Sequence, residues 1–251
     1  MPNSRSPVRD SSDSPSSVRP VAVVTGASQG LGLALSRELA RRGWSLVVDG
    51  RDTDRLDSAV TQIAAHGEVV GVAGDVADSA HRSELARAAA SRGEVRLVVN
   101  NASTLGRSPL PSLSEIDAGV LRRLFDVNVI APIEIIRALD DSLAEGTTVV
   151  NVTSDAAMGA YQGWGGYGAS KAALEHASRV LAVERPDLRV LVVDPGDMRT
   201  QMHQDAFPGE DISDRDPPEA SVPGLLALIT GDQPSGRYQA RSVAPSERIS
   251  S

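Results

Sequence analysis

Two side chains in the second half of the chain, Tyr167 and Lys171, have the types and the spacing of an acid/base pair. They stand four residues apart in a predicted helix, which puts both on one face. A phenol with its ordinary pKa of about 10 exchanges protons poorly near neutrality, but a neighbouring ammonium favours phenolate and lowers that pKa. The sequence therefore predicts that Tyr167 is an acid/base and that Lys171 lowers its pKa, although such pairs are common on helices and do not identify chemistry alone.

Two further polar side chains fall where they could join this pair. Ser154 follows a predicted strand, at the edge where a parallel sheet presents its ligands, and its hydroxyl could hold a carbonyl oxygen. A cap or turn hydroxyl is the alternative. Asn128 interrupts an otherwise apolar helix, where a buried amide must satisfy its donors and acceptors. We expect it to kink the helix and to hold a water leading to Lys171, or else to have a purely structural role.

These side chains must be positioned by a regular alternation of strands and helices. Short apolar runs rich in β-branched residues are typical of strands buried on both faces of a parallel sheet. They fall at 21–24, 46–48, 69–73, 97–99, 148–152 and 190–193, with a short strand at 237–240. Predicted helices lie at 31–42, 54–65, 79–91, 114–143 with a break near Pro132, 166–185 and 219–229. The pattern predicts an α/β, doubly wound parallel sheet of about seven strands with helices on both faces.

The domain organisation expected is one domain after a short tail. Residues 1–19 are rich in Ser, Pro and Arg and have little to bury, which is typical of a disordered tail. Residues 20–251 form the single domain, since 251 residues suffice for one sizeable core. Within it, segment 197–218 is rich in Asp, Pro and Gly, which predicts a long substrate-binding loop with one short helix.

A glycine-rich loop lies between the first strand and the first helix. Gly26 could make the tight turn, Gly30 could let the backbone approach a pyrophosphate, and Gly32 could permit close packing of helix on strand. The helix N-terminus would then face the phosphates. In this position the spacing indicates a dinucleotide site, whereas a turn that merely needs flexible residues is the alternative.

The end of the second strand bears on which dinucleotide binds. An acid there accepts hydrogen bonds from a free ribose, whereas a basic residue receives the 2′-phosphate. Asp49 would favour NAD(H) and Arg51 NADP(H). We favour Arg51 and NADP(H), because Gly50 stands where the discriminating acid is expected; NAD(H) remains the alternative, with Arg51 a solvated charge. Asp75 and Val76 could contact the adenine, or Asp75 could simply form a turn.

Composition excludes several other classes of function. A net charge of -8 gives no basic stripe for nucleic acid, so a small-molecule substrate is expected. Zero cysteines remove disulfides, thiolate nucleophiles and Cys-based zinc sites, and are compatible with the cytoplasm. The apolar runs are too short for a membrane span, and the four dispersed histidines predict no metal site.

Together these landmarks resemble the short-chain dehydrogenase/reductase family, in the compact branch whose chains are about the length of this one. The resemblance spans nearly everything after the tail. It rests on the pattern TGxxxGxG at Thr25–Gly32, the dipeptide Asp75-Val76, the run Asn100-Asn101-Ala102, Asn128, Ser154, the pair Tyr167 and Lys171, the dipeptide Pro195-Gly196, and Thr200. One departure is Ser103, where the family usually has glycine.

The resemblance implies a Rossmann-type fold and an NAD(P)-dependent oxidoreductase, with a role for each landmark. Tyr167 would be the acid/base, Lys171 would also bind the nicotinamide ribose, Ser154 would orient the substrate, and Asn128 would join a water-linked proton relay. Asn100 and the glycine loop would support and bind the cofactor. The residues expected to contact it are Gly26, Ser28, Gln29, Gly30, Leu31, Gly32, Arg51, Asp75, Val76, Asn101, Ala102, Tyr167, Lys171, Pro195, Gly196, Met198 and Thr200.

Substrate specificity is expected between the loop after Ser154 and the segment after Gly196. Aromatic residues are scarce in this chain, so Tyr161 and Trp164 predict a wall for an apolar or ring-bearing substrate, with ordinary packing as the alternative. The pocket residues expected are Met158, Tyr161, Trp164, Met202 and Phe207. His203 could touch a substrate or face solvent.

The activity expected is NADPH-dependent reduction of a carbonyl, that is, a ketoreductase. One alternative is a non-catalytic NADP-binding sensor or scaffold, which should have lost part of the catalytic set. Another is an enzyme of the same type that dehydrates or isomerises its substrate. Small residues on the catalytic helix, together with the resemblance, imply a homodimer or homotetramer; an intramolecular contact is the alternative. Those residues are Gly168, Ala169, Ala172 and Ala173.

Overall fold

The computed structural model describes residues 19–244, which form one sheet of seven parallel strands. The strands are β1 (Val21–Val24), β2 (Ser45–Gly50), β3 (Val69–Ala73), β4 (Val95–Asn100), β5 (Leu143–Val152), β6 (Arg189–Asp194) and β7 (Gly236–Gln239). Their order across the sheet is β3-β2-β1-β4-β5-β6-β7. The α/β doubly wound sheet expected from the sequence is confirmed, whereas nearly all of the expected tail at 1–19 lies outside the described residues.

Helices cover both faces of the sheet. They are α1 (Gly30–Arg41), α2 (Thr53–Ala64), α3 (Ser79–Ala90), α4 (Ala118–Phe125), α5 (Ala131–Leu139), α6 (Gly165–Glu184), α7 (Gln201–Ala206) and α8 (Val222–Thr230). Apolar side chains of α1, α2 and α8 form the core on one face, and those of α3, α5 and α6 form the core on the other. None of the helices within 19–244 is long and apolar enough to cross a membrane.

The first strand is buried on both faces, which is why its residues are apolar throughout. In β1, Ala22 and Val24 pack into one core, and Val21 and Val23 pack into the other. A fully buried valine contributes about 1.5–3 kcal/mol, so both faces of a central strand favour apolar residues. β3 departs from the expected full burial, since only Val72 is buried in it. It lies at the edge of the sheet and has β2 as its one neighbour.

The segment 114–143, expected as a helix broken near Pro132, is divided differently. α4 ends at Phe125, a π-helical turn spans Asp126–Ile130, and α5 then begins at Ala131. Ile130 and Ala131 have helical backbone angles, so the helix runs on from the π-helical turn into α5. Pro132 lies two residues after that turn and has no N–H to donate to a carbonyl of it. The irregular turn therefore lies just before the proline and carries Asn128. β5 also begins earlier than expected, at Leu143.

The sheet order places the functional segments at one edge. β1 lies between β2 and β4, so the chain crosses to opposite sides of β1 before and after the third strand. A crevice forms outside the carboxyl ends of the strands where an α/β sheet reverses its order in this way. The glycine loop follows β1, and the segments after β4, β5 and β6 begin at the same edge. This crevice is therefore where the candidate residues meet.

Candidate active site

A cleft of about 780 Å³ lies at the carboxyl ends of the central strands. Its walls include the glycine loop after β1, Ser154 after β5, and Tyr167 and Lys171 on α6. All but one of the residues expected to contact a cofactor line it. They are Gly26, Ser28, Gln29, Gly30, Leu31, Arg51, Asp75, Val76, Asn101, Ala102, Tyr167, Lys171, Pro195, Gly196, Met198 and Thr200. The exception is Gly32.

The glycine loop has the shape that a bound phosphate requires. Gly26 and Gly30 have φ angles of +65° and +57°, which L side chains rarely adopt. A Cβ on Gly30 would meet nothing nearer than Cγ2 of Thr200, at 3.5 Å, so its backbone lies open to the cleft at the start of α1. Gly32 lies behind the loop, where a Cβ would stand 2.5 Å from the Gly26 carbonyl oxygen. An exposed helix N-terminus beside bare backbone fits the pyrophosphate of a dinucleotide.

Thr25 and Asn101 fasten the glycine loop to the segment after β4. The Thr25 hydroxyl accepts hydrogen bonds from the amides of Asn101 (3.1 Å) and Ala102 (3.0 Å). The Asn101 side chain donates to the carbonyl of Thr25 at 2.9 Å. Asn100, expected to bind the cofactor, is instead buried outside the cleft and donates to Oδ1 of Asn151 at 2.8 Å. That expectation is wrong because Asn100 belongs to β4, where its side chain joins the interior.

Asp49 and Arg51, at the end of β2, have different surroundings. Oδ1 of Asp49 accepts from the Gly26 amide at 2.6 Å, and Oδ2 lies 3.0 Å from Nε2 of His81. Asp49 is 1% exposed, and burial raises its pKa, although the hydrogen bonds from His81 and Gly26 oppose this. Arg51 is exposed at the rim of the cleft and forms no ion pair within residues 19–244. The acid is therefore committed to the fold, and the guanidinium is available to a ligand.

Gly50 and Asp75 complete this end of the cleft. A Cβ on Gly50 would lie 2.8 Å from Cβ of Ser28, so a side chain there would displace the glycine loop. The carboxylate of Asp75 accepts from the amide of Ala77 at 2.9 Å and pairs with Arg123. Asp75 therefore makes the turn that was the alternative, while still lining the cleft.

Tyr167 and Lys171 meet on α6, with Nζ of Lys171 5.6 Å from the centroid of the Tyr167 ring. Nζ donates to the Val152 carbonyl at 2.9 Å, and burial lowers the pKa of Lys171 to about 8. Burial raises the pKa of Tyr167 to about 12, with the hydroxyls of Ser103 and Ser154 acting in the opposite direction. The expectation of a depressed tyrosine pKa is wrong for this structure, because desolvation of the phenolate outweighs what favours it. The phenol is therefore protonated at neutral pH.

Ser154 lies in a short turn that packs directly against α6. Its Oγ accepts from the amide of Ala156 at 3.2 Å and donates to Oδ1 of Asp155 at 3.0 Å. A Cβ on Gly168 would lie 2.5 Å from the Ala156 carbonyl oxygen, so only glycine lets the helix approach the turn this closely. This contact brings the hydroxyl of Ser154 beside the phenol of Tyr167. It also means that Gly168 makes a contact inside the subunit, which was the alternative to a contact between subunits.

Asn128 lies behind the cleft, with no exposed surface. Its Oδ1 accepts from the hydroxyl of Ser103 (3.1 Å) and the amide of Thr104 (2.9 Å). Its Nδ2 donates to the Thr104 carbonyl and to Oγ of Ser170, each at 3.0 Å. All of its amide's bonding capacity is used by protein groups, so the side chain does not hold a water leading to Lys171. Ser103, the departure from the family pattern, supplies one of these bonds.

The outer wall of the cleft is largely aromatic. The ring of Trp164 lies 5.6 Å from that of Tyr167 and 5.9 Å from that of Phe207. His203, on α7, stacks 5.0 Å from Phe207 and lines the cleft rather than facing solvent alone. Tyr161 and Met202 also line it. Met158 does not, because its side chain is 74% exposed outside the cleft.

The sequence did not predict that a charged side chain would contact the backbone of Ser154. Arg237, on β7, donates to Oε1 of Glu175 (3.0 Å), to Oδ2 of Asp194 (3.4 Å) and to the carbonyl of Ser154 (3.4 Å). Glu175 also accepts from Thr153, at 2.8 Å. These residues are far apart in sequence, and only the register of three neighbouring strands brings them together. The one signal available was the charge of Glu175 within an otherwise small and apolar helix face.

The arrangement can hold a dinucleotide along the glycine loop and present a hydroxyl, a protonated phenol and an ammonium to one reacting carbonyl. The groups present are those that carbonyl reduction requires: donors aimed at the oxygen where charge develops. Lys171 stays beside the phenol as a buried cation near neutral pH. The residues of the cleft therefore fit a nicotinamide cofactor at its phosphates and at its reactive end.

Comparisons with known proteins agree with this geometry. A family profile described as short chain dehydrogenase matches residues 20–211. A 1-deoxy-11-beta-hydroxypentalenate dehydrogenase of Streptomyces avermitilis is 36% identical over 188 residues, which cover 72% of this chain and 69% of that protein.

Solved structures give the same result. An alcohol dehydrogenase of the archaeon Thermococcus sibiricus, complexed with 5-hydroxy-NADP, superposes with a TM-score of 0.79 at 27% identity, covering 88% of this chain and 95% of that one. A short-chain dehydrogenase of Escherichia coli CFT073, complexed with NADPH, has a TM-score of 0.79 at 29% identity, covering 88% and 96%.

Proposed function

The chain belongs to the short-chain dehydrogenase/reductase family, and on that premise we propose that it is an NADPH-dependent ketoreductase whose acid is Tyr167. Its class is that of the family, NAD(P)-dependent oxidoreductases acting on CH–OH groups. The observation that carries the finer proposal is that Ser154, Tyr167 and Lys171 share one cleft with the glycine loop. Reduction is the preferred direction, in keeping with the proposed cofactor.

The proposed roles follow from protonation and hydrogen-bonding capacity. NADPH, when bound, supplies the hydride. Ser154 and Tyr167 hydrogen-bond the carbonyl oxygen, and Tyr167 gives up its phenolic proton as the alkoxide forms. Lys171 binds the ribose and holds a positive charge beside the phenol, which offsets part of the cost of leaving a buried phenolate. Asn128 positions the segment that carries Ser103 and Thr104 rather than contacting substrate.

NADP(H) is proposed over NAD(H) because Arg51 is unpaired at the rim of the cleft and Asp49 is buried by its own hydrogen bonds. A guanidinium binds a phosphate with charge-assisted hydrogen bonds, whereas both oxygens of Asp49 already have a protein partner. The complexes of two structural neighbours with NADP-type cofactors support the same choice. Segment 197–218 is proposed as the substrate-binding loop of the single domain 20–251.

The test is a panel of ketones and aldehydes with NADPH, followed at the nicotinamide absorbance, for the wild type and Tyr167→Phe. We expect one NADPH consumed per carbonyl reduced, and Tyr167→Phe should lose nearly all turnover while its affinity for NADPH stays near wild type. Undiminished turnover by Tyr167→Phe would refute the role of the phenol. Binding of NADPH without any turnover would favour a sensor or scaffold, and product formation without NADPH consumption would favour dehydration or isomerisation.

We also propose a homodimer or homotetramer. Large apolar side chains are exposed on two neighbouring helical segments: Ile130 and Ile133 at the start of α5, and Val180 and Val183 on α6. Such exposed apolar surface is typical of a contact between subunits. Analytical ultracentrifugation at micromolar concentration checks this, since a monomer alone would contradict it. The cytoplasmic location expected from the sequence belongs with these proposals, and fractionation of the producing cells would test it.

A further inference from the structure

One carboxylate in the cleft, that of Asp155, is bonded only to neutral groups. Its Oδ1 accepts the hydroxyl of Ser154 and its Oδ2 accepts the hydroxyl of Tyr161, each at 3.0 Å. No Lys, Arg or His side chain of residues 19–244 lies within ion-pair distance of it. Asp155 directly follows the hydroxyl proposed to hold the reacting carbonyl, so its negative charge lies beside the reaction centre.

The other aspartates that line the cleft each have a basic partner. Asp49 is bonded to His81 at 3.0 Å, and Asp75 is paired with Arg123. The remaining pairs are Asp194 with Arg237 at 3.4 Å and Asp197 with Arg215 at 3.8 Å. Asp155 thus stands apart from the other acids of the same lining, because its charge is not neutralised by the protein.

The negative charge of Asp155 affects the pKa of both neighbouring phenols. Its hydrogen bond and its charge raise the pKa of Tyr161, and its charge adds to the burial that raises the pKa of Tyr167. Two aromatic rings line the same cleft as Asp155, those of Trp164 and Phe207, with centroids 5.9 Å apart. A carboxylate beside electron-rich ring faces is the environment that binds an ammonium group, by an ion pair and by cation–π contact.

We propose that the substrate of this enzyme is an amino ketone, whose protonated amine binds Asp155 while its carbonyl oxygen binds Ser154 and Tyr167. The inference rests on the proposed reduction and names the class of its substrate. Oγ of Ser154 and Oδ1 of Asp155 are 3.0 Å apart. Because these two oxygens are adjacent, one short molecule can reach both, and the proposed spacing is about one or two carbon atoms between the amine and the carbonyl carbon.

An ammonium is favoured over a neutral donor for this site by the strength of the bond. Asp155 is exposed at the wall of the cleft. The hydroxyl of Ser154 has one proton, so when it donates to a substrate carbonyl it no longer donates to Oδ1 of Asp155, and an ammonium can take its place at that oxygen. A charge-assisted hydrogen bond is about twice as strong as a neutral one, and the advantage grows as water is excluded. The carboxylate also selects against substrates that carry a carboxylate or a phosphate of their own at this position.

The test compares ketones matched in shape: 4-piperidone with cyclohexanone, and 2-amino-1-phenylethanone with propiophenone. We expect wild-type kcat/KM to be at least about tenfold higher for the amine of each pair, and Asp155→Asn to bring the ratio close to one. The ratio cancels any general effect of the substitution on Ser154, because both ketones share that contact. Asp141→Asn, an exposed aspartate outside the cleft, serves as the matched control and should keep the wild-type ratio.

A binding measurement decides the inference without turnover. Calorimetry of 2-phenylethylamine against the NADPH-loaded protein should detect binding that weakens at least about tenfold in Asp155→Asn. Equal affinity in both proteins, or wild-type ratios of one or less in the ketone pairs, would overturn the amino-ketone inference. If neutral ketones are nevertheless reduced with dependence on Tyr167, the proposed function stands; if the amine binds but no ketone is reduced, the proposed function fails while the binding role of Asp155 holds.

Discussion

Oδ1 of Asp49, at the end of β2, accepts a hydrogen bond of 2.6 Å from the backbone amide of Gly26 in the glycine loop. The bond joins the second strand to the loop after the first. The other oxygen of Asp49 lies 3.0 Å from Nε2 of His81. We therefore expect Asp49 to stabilise the glycine loop rather than to select the cofactor.

Replacing Asp49 should change stability and leave cofactor preference alone. Asp49→Ala removes the bonds to Gly26 and His81, both buried, and should lower the free energy of unfolding by about 1.5–3 kcal/mol. Urea unfolding measures this loss. The ratio of NADPH to NADH affinity should remain near that of the wild type, and a large shift in that ratio would mean that Asp49 reads the ribose after all.

Replacing Arg51 should have the opposite effect: it should change cofactor preference and leave stability alone. Arg51→Ala should weaken NADPH binding about tenfold or more and leave NADH binding nearly unchanged, because the unpaired guanidinium at the rim of the cleft is proposed to bind the 2′-phosphate. Fluorescence titration of both cofactors checks it. Arg96→Ala is the matched control, since Arg96 is an exposed arginine at the start of β4, away from the cleft. Equal loss of both cofactors in Arg51→Ala would remove its role in selecting NADPH.

The two directions of reaction should differ in their response to pH. Burial raises the pKa of Tyr167 to about 12, so the phenol needed for reduction is protonated well below that value. Between about pH 6 and 7, where Lys171 stays protonated, kcat for reduction should be flat, whereas oxidation of the alcohol product, which needs phenolate, should rise about tenfold per pH unit. Stopped-flow rates of the hydride step in each direction measure this. Two flat profiles would place the proton on another group.

Lys171 should make the stability of the protein depend on pH in the alkaline range. Burial lowers the pKa of Lys171 from 10.5 to about 8. Between these values the unfolded chain binds more protons than the folded one, so stability should rise with pH, by up to about 3 kcal/mol. Lys171→Met should abolish the rise. Urea unfolding at a series of pH values compares the two proteins, and an unchanged slope in the variant would contradict the buried ammonium.

Asn128 should contribute chiefly to the stability of the fold, through its hydrogen bonds to the residues around it. Asn128→Ala leaves four protein groups without their partner and should lower the free energy of unfolding by about 2–4 kcal/mol. Gln62→Ala, on the exposed face of α2, is the control. If unfolding in urea is the same for Asn128→Ala and the wild type, the network around the π-helical turn does not stabilise the fold.

The strands were predictable because burial on both faces leaves little choice of residue, as the alternation in β1 illustrates. The end of the fifth strand then predicted Ser154 at the ligand-binding edge of the sheet, and the resemblance joined it to Tyr167 on the following helix. The surroundings of Asp49 could not be predicted in this way, since they depend on His81, from a helix three elements further along the chain. The roles themselves remain predictions for the experiments above.

Other features depend on three-dimensional packing that no local pattern encodes. The break expected near Pro132 is a π-helical turn at Asp126–Ile130, and no local pattern predicted its type or its exact bounds. The pKa of Tyr167 was expected to fall because Lys171 is near, but the extent of burial around the phenol decides its direction. Met158 was assigned to the pocket by its position in sequence, and its backbone in fact carries the side chain outward.

Arg237 makes β7 part of the support of the cleft. The residue lies on that edge strand and yet is bonded to the carbonyl of Ser154, to Glu175 and to Asp194. Truncation after α8 would remove all three bonds at once. We expect it to loosen the segment that carries Ser154, whereas the glycine loop would keep its own hydrogen bonds to β2 and to the segment after β4.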